Sequence, residues 1–354
     1  MGQELQYDLK SLTLEELEQI IEELGEKKFR AKQIYGWIHQ KLIEDLDEMG
    51  NVPKKLREQL KEKLGFYPIR ELDRLVSKID GTSKFIFALR DGSVIESVLM
   101  KYKHGNSVCV SSQVGCRMGC RFCASTLDGL SRNLLPSEIL DQIYYIQRAT
   151  NERVSNIVLM GTGEPFDNYK NVMRFLDLVT NENGLHISQR NITLSTCGLV
   201  PKIREFADRK MQYNLAISLH SPTDEMRREL MPVANSYTID EILEACHYFF
   251  EQTGRRITFE YSLVAGVNDK PEHAKILIKR LRDLNCHVNL IPVNPIEERD
   301  YKQSTADSII EFKNLLEKNH INATVRREMG RDIQAACGQL RRKYTKVDQT
   351  GEAL

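Results

Sequence analysis

The sequence has no excess of charge of either sign. Lys+Arg and Asp+Glu each number 50 in 354 residues, so the formal net charge is +0 and the pI is about 7.1. A field that draws the whole molecule onto a polyanion is excluded, and any such contact must come from local patches. No apolar run approaches the length of a membrane span, and there is no internal repeat or low-complexity segment. Met1-Gly-Gln-Glu-Leu-Gln carries no signal pattern and no Ser or Thr where myristoylation needs one. A cytoplasmic location is expected. The eight cysteines are clustered instead of scattered in pairs, which fits a reducing compartment and disfavours a disulfide framework. With 41% hydrophobic and 28% charged residues, the composition is that of an ordinary globular protein, long enough for one large domain and a small one.

What the sequence does have is concentrated in one stretch. Cys116-Arg-Met-Gly-Cys120-Arg-Phe-Cys123 places three cysteines within eight residues, spaced C-x3-C-x2-C. Three thiolates can hold three irons of a [4Fe–4S] cube and leave the fourth iron open to a substrate or cofactor. A structural zinc ion wants a fourth ligand close by. The next cysteine is Cys197 and the nearest downstream histidine is His186, neither at zinc spacing. Zinc, or three buried thiols, is the competing reading.

Along the chain, Thr13-Leu-Glu-Glu16 reads as a capping box that opens a helix, and Gly25 closes it. A second helix is expected from Phe29 to about Leu42, and a third from Pro53 to Gly65. Residues 1–65 thus read as a small helical module. Its Lys27, Lys28, Arg30 and Lys32 form either a solvated face or a phosphate contact. Asp80-Gly81 and Asp91-Gly92 are hairpin signals, so 66–100 reads as a β-hairpin linker. Glu96 shares a strand face there with Val94 and Val98, which puts it either at an exposed edge or in a site.

From 101 to 340 a βα rhythm takes over. Strand-like runs at 107–112, 156–160, 191–196, 214–220, 257–264 and 287–293 alternate with helical patterns, and a seventh short run covers 323–325. Such alternation predicts an α/β fold with a parallel sheet: a partial (β/α)6 barrel whose chemistry sits at the C-terminal strand ends. The cysteine trio follows the first strand, and Gly161-Thr-Gly163-Glu164-Pro165 follows the second. Ser195 ends the third, Ser218-Leu219-His220 the fourth, and Asn294 follows the sixth. Each alone could be an ordinary strand terminus. Together they ring one mouth with small polar groups, as a nucleoside-bearing cofactor requires. The tail, 341–354, is basic and polar.

These residues carry a resemblance. C-x3-C-x2-C after the first strand and a GxGEP turn after the second resemble the radical S-adenosylmethionine superfamily. Gly115-Cys-Arg-Met-Gly-Cys-Arg-Phe-Cys-Ala-Ser, Gly163-Glu-Pro-Phe-Asp-Asn-Tyr, Ser218-Leu-His-Ser-Pro and Ala335-Ala-Cys337-Gly-Gln-Leu are similar to the RlmN family of dual-specificity RNA methyltransferases. The resemblance spans nearly the whole chain. It implies methylation of adenine C2 in 23S rRNA and in certain tRNAs, with a [4Fe–4S] cluster and two S-adenosylmethionines per turnover. Cys116, Cys120 and Cys123 would ligate the cluster. Gly163, Glu164, Ser195, Ser218, Leu219, His220 and Asn294 match cofactor-contacting positions. Cys337 matches the cysteine that becomes S-methylated, Cys109 its transient disulfide partner, and Glu96 the proton acceptor. An external electron donor is implied, and a monomer with neither DNA nor membrane as partner is expected.

The RNA contacts themselves are least legible, with Arg326, Arg327, Arg341, Arg342 and Lys343 as further candidate cations. Cys197, Cys246 and Cys286 read as packing thiols. The alternatives are a sister enzyme that methylates C8 of the same adenine, a non-catalytic zinc or RNA-binding module, and a radical enzyme that acts on protein.

Overall fold

The computed structural model describes residues 8–103 and 105–340. The N-terminal seven residues and the tail with Arg341, Arg342 and Lys343 lie outside them. Helix α1 (Leu14–Glu23) opens on the expected capping box. Thr13 Oγ1 accepts the Glu16 amide at 3.3 Å, and Glu16 Oε2 accepts the Thr13 amide at 2.8 Å. Helix α2 (Phe29–His39) stops short of the expected Leu42. The Gln40 and Lys41 amides both turn back onto the Gly36 carbonyl, and Leu42 takes a left-handed φ of 57°. Helix α3 (Lys54–Leu64) follows Pro53 and ends at Gly65.

Three antiparallel strands come next: β1 (Arg70–Val76), β2 (Ser83–Ala88) and β3 (Val94–Tyr102). They are not a separate hairpin. β3 pairs antiparallel with β4 (Gly105–Cys109), so all three extend the main sheet. A small hairpin of β5 (Gln113–Gly115) and β6 (Leu130–Asn133) stands apart from that sheet. The chain then alternates: α4 (Pro136–Thr150), β7 (Val154–Leu159), α5 (Tyr169–Thr180), β8 (Ile192–Thr196), α6 (Val200–Asp208) and β9 (Asn214–Ser218). After the short α7 (Asp224–Leu230) come α8 (Ile239–Thr253), β10 (Ile257–Leu263), α9 (Pro271–Leu281), β11 (Cys286–Pro292), α10 (Ala306–Lys318) and β12 (Asn322–Val325).

The sheet order is β1-β2-β3-β4-β7-β8-β9-β10-β11-β12, with β4 and β7 to β12 parallel. β1 and β12 are its two edges, so the barrel is open. The expected βα order is present. The short elements β5, β6 and α7 were not anticipated, because three to seven residues carry too little periodicity to register.

The apolar core is continuous from Leu9 to Ala323, so the N-terminal helices share it with α4 and α5. Polar contacts fix the docking. The buried Lys10 ammonium pairs with buried Asp141 of α4, Asp8 Oδ2 accepts from Ser137 Oγ at 2.7 Å, and His39 Nδ1 lies 2.7 Å from Tyr144 Oη. A buried ion pair adds little net stability, because desolvation offsets its attraction, but it fixes register. Among the described residues no helix is long and apolar enough to cross a membrane.

Candidate active site

The three-cysteine loop is clamped from its base. Gly115 has φ 77°, and a Cβ there would lie 2.0 Å from the Gly129 carbonyl oxygen, so only glycine lets β5 approach β6. The Cys116 amide donates to that same carbonyl at 3.0 Å. Arg117 pairs with Asp167, and the Arg121 amide donates to the Leu230 carbonyl at 2.9 Å. Thr126 Oγ1 donates to the carbonyls of Cys120 and Cys123 at 3.1 and 2.9 Å.

This loop forms one wall of a cavity of about 920 Å³ at the C-terminal strand ends. Cys116, Cys120, Cys123, Gly163, Glu164, Ser195, Ser218, His220, Asn294 and Cys337 all line it. Leu219 does not: its side chain is fully buried, and its carbonyl accepts from Arg227 Nε at 3.2 Å. Gly161 and Gly163 prove to be sites of chain–chain approach. Cβ atoms there would come within 2.7 Å of the Val110 carbonyl oxygen and of Gln113 Cβ. Glu164 Oε1 and Oε2 accept the amides of Phe166 and Cys197 at 3.0 and 2.8 Å, which ties the β7 turn to the end of β8. The Ser262 amide donates to His220 Nδ1 at 2.9 Å, so the neutral ring keeps its proton on Nε2. Burial holds that imidazole down at about 3, with the Arg227 charge a smaller contribution.

Cys337 sits on the loop after β12, half-buried, with Asn294 Nδ2 donating to its carbonyl at 2.9 Å. The Ala124 amide donates to the Gly338 carbonyl at 2.8 Å, so the Cys337 loop and the three-cysteine loop touch. Cys337 also lines a second cavity, of about 530 Å³, which it shares with Cys109, Arg326 and Arg327. Cys109 ends β4 between Val98 and Val158, beneath Met329, Ala335 and Leu340. Burial pushes its thiol up to about 12. Glu96 lines neither of these cavities. It is buried, 3.5 Å from Lys84 Nζ, and faces a smaller space behind the three-cysteine loop with Ala124, Ser125 and Thr162. Lys84 Nζ also donates to the Gln334 carbonyl at 3.2 Å, which connects Glu96 to the Cys337 loop.

The chain is similar to known proteins over nearly its whole length. The model of the ribosomal RNA large subunit methyltransferase N-terminal domain matches residues 7–65, and that of the radical SAM superfamily matches 110–281. A radical SAM methyltransferase from Sphaerobacter thermophilus superposes with a TM-score of 0.92 at 42% identity, covering 95% of this chain and 100% of that one. The probable dual-specificity RNA methyltransferase RlmN of Lachnoclostridium phytofermentans is 61% identical over 96% of this chain and 95% of its own length. That of Lachnospira eligens is 60% identical over 95% and 96%.

The chain belongs to the RlmN family.

As a radical SAM RNA methyltransferase, an RlmN chain requires a [4Fe–4S] cluster and S-adenosylmethionine. The residues present fit both. Three cysteines on one clamped loop face a cavity whose far wall is small and polar. Burial pushes the Cys116 thiol up to about 12 and raises those of Cys120 and Cys123, so thiolates there need the charge of bound iron. Among the described residues no three His, Cys, Asp or Glu side chains gather as a single-ion site. All eight cysteines are unpaired, Cys109 and Cys337 included.

Of the cations read from the sequence, Lys28 pairs with Glu18 at 2.8 Å and Arg30 donates to the Asn51 carbonyl at 2.8 Å, both within the N-terminal module. Polar lining residues that the sequence reading did not single out include Ser125, Thr126, Thr196, Glu260 and Ser262, and Cys197, read as a packing thiol, lines the cavity as well. Thr258, Glu260 and Ser262 alternate along β10, and that period-2 polar pattern was the available signal for Glu260 and Ser262.

Proposed function

We propose that this RlmN chain methylates C2 of an adenine in 23S rRNA and in certain tRNAs, with Cys337 as the methyl carrier. One observation carries the reading. Cys337 stands in both cavities, with Cys116, Cys120 and Cys123 in one and with Cys109 in the other. A sulfur so placed can take a methyl group on the cofactor side and meet a second thiol on the other. Cys116, Cys120 and Cys123 would hold the cluster, while Gly163, Glu164, Ser195, Ser218, the Leu219 backbone, His220 and Asn294 would frame S-adenosylmethionine. When bound, these groups supply a methyl cation equivalent and, on reduction by an external donor, a hydrogen-abstracting carbon radical.

The protein's own residues do the rest. Cys337 sulfur accepts the methyl as a thiolate. After hydrogen loss, its methylene carbon bonds C2 of adenine and joins protein to RNA. The odd electron that this addition leaves would pass to the group held by Cys116, Cys120 and Cys123, and Glu96 takes the C2 proton. The Cys337 loop must shift to let it do so, opening the bonds from Lys84 to Gln334 and from Ala124 to Gly338. Cys109 thiolate then attacks Cys337 sulfur, the S–C bond breaks with its electron pair left on carbon, that carbon takes the proton Glu96 holds to become the methyl group, and methylated RNA leaves as a disulfide forms. An external reductant restores both thiols. Arg326, which lines both cavities, supplies positive charge that partly offsets the effect of burial on the Cys109 thiol.

The test is Cys109→Ala, incubated anaerobically with S-adenosylmethionine, reductant and RNA. Enzyme should accumulate joined to RNA through Cys337. Free enzyme after turnover would defeat the assignment. Digestion of wild-type product should yield 2-methyladenosine, and 8-methyladenosine alone would move the chain to the sister activity.

A further inference from the structure

In a closed barrel of parallel strands the interior is filled with branched apolar side chains. Here the half of the lumen nearest the N-terminal strand ends is polar and open. Thr193 of β8, Asn214 of β9, Thr258 and Glu260 of β10, and Asn289 of β11 line a space of about 1260 Å³, together with Tyr102, Arg255, Arg256 and Arg326. Polar groups facing a lumen forfeit the stability of apolar packing, so their retention points to an occupant. Thr193, Asn214, Thr258 and Asn289 do not line the cofactor cavity.

The lower mouth is basic and lacks counter-charge. Arg255 and Arg256 directly precede β10. Arg255 donates to Asn214 Oδ1, while its Nε is buried with no partner. Burial, and then the charges of Arg190 and Arg256, make Arg255 easier to deprotonate than a free arginine. Among the described residues no carboxylate lies within ion-pair distance of Arg190, Arg255 or Arg256, although Arg132 and Arg174 hold carboxylates at 2.8 and 2.7 Å. Glu260, the carboxylate that lines this space, is occupied deeper in. It accepts from Asn289 Nδ2 at 2.9 Å and faces Arg326 at 4.0 Å. Met160, Glu260 and Arg326 line both this space and the cofactor cavity, and Met160 and Arg326 also line the cavity that Cys337 shares with Cys109. The polar lumen therefore adjoins both cavities that Cys337 lines.

We infer that this lower mouth is the RNA entrance, where Arg255 and Arg256 hold backbone phosphate beside an unstacked nucleotide that reaches up the lumen toward Cys337. The inference rests on the RNA-modifying reading above. Arginines without carboxylate partners suit phosphate, and a polar lumen with amide and hydroxyl groups suits a base withdrawn from its stack.

The test compares full-length wild type, R255A/R256A and R255K/R256K, with an adenine-bearing RNA hairpin as the probe. The alanine pair should weaken binding about tenfold and flatten the log–log salt dependence by about 1.4, which is two single-strand phosphate contacts. The lysine pair should restore most of both. Methylation of Cys337 by S-adenosylmethionine without RNA should match wild type in each variant, which reports an intact fold and cofactor site. If the alanine pair fails that control, R256A alone, at an exposed position, should flatten the slope by about 0.7. Unchanged affinity and slope in the alanine pair would overturn the proposal. So would normal RNA binding with turnover lost only when a protein reductant replaces dithionite, because the patch would then serve an acidic electron donor. Should wild type itself never methylate Cys337, the carrier reading fails while the binding result stands.

Discussion

The two cysteine-bearing loops that meet at the cavity are held in opposite ways. The Cys116–Cys123 loop grows out of the β5–β6 hairpin, with Gly115 pressed against the Gly129 carbonyl, an Arg117–Asp167 ion pair, and Thr126 bonded to two of its carbonyls. The Cys337 loop has a single 3-10 turn at Arg331–Ile333 and three left-handed residues, Gly330, Gln334 and Gly338. It is fastened by single hydrogen bonds from Asn294, Ala124, Lys84 and Ser125, by bonds that tie Gly330 to Asp80, Asp332 to Lys78 and Gln339 to Pro295, and by Met329, Ala335 and Leu340 over Cys109. A cluster holder must keep fixed spacing. A sulfur that serves a cofactor, a base and a second thiol in turn must be able to move.

The contrast is open to attack, most severely at the sulfurs themselves. Cys116→Ser should lose iron together with all RNA product, whereas Cys337→Ala should keep its iron and lose only the product. Iron content and methylated adenosine are read on the same samples, and loss of iron from Cys337→Ala would erase the distinction.

Next in size are the two glycines. Gly115→Ala meets a backbone carbonyl at 2.0 Å and should cost roughly 3 kcal/mol of stability. Gly338→Ala, 3.2 Å from the Phe122 carbonyl oxygen, should cost only the left-handed penalty of about 1–2 kcal/mol. Urea midpoints should rank them in that order, and equal losses would show the loops to be equally clamped. Asn294→Ala frees the Cys337 carbonyl and should slow turnover about fivefold, the worth of one hydrogen bond of about 1 kcal/mol, with iron unchanged.

Acid should loosen the surroundings of the three-cysteine loop. His220, whose ring meets Phe122 edge-on at 4.8 Å, is held neutral at about 3 by burial, against about 6.5 when unfolded. Its contribution is complete above pH 6.5 and is lost as pH falls toward 3, at about 1.4 kcal/mol per unit at most. His39, also lowered to about 3 by burial, adds the same sign at the N-terminal interface. His220→Gln should flatten part of the acid limb of stability between pH 6 and 4, and an unchanged limb would clear His220 of the effect.

The three-cysteine loop was legible because its spacing is local and its ligand chemistry narrow. The strand-end residues were legible because a parallel βα order sends its C-terminal ends to one mouth. What escaped was long-range. Nothing in the sequence pairs Lys10 with Asp141, or continues β3 into β4 so that the supposed hairpin joins the sheet. Leu219 sits inside a polar strand-end triplet, yet its side chain is buried in the core, one residue past the end of β9, while Ser218 lines the cavity. Glu96 kept two readings, edge or site, and its partner Lys84 emerged only once β2 and β3 were paired.

The most direct measurement follows one methyl group. Enzyme is loaded at Cys337 with labelled methyl, freed of unbound donor, and given unlabelled S-adenosylmethionine, reductant and RNA for a single turnover. The label should leave Cys337 and appear on the adenine. Unlabelled methyl on RNA, with the label still on Cys337, would contradict the carrier role on which the account depends.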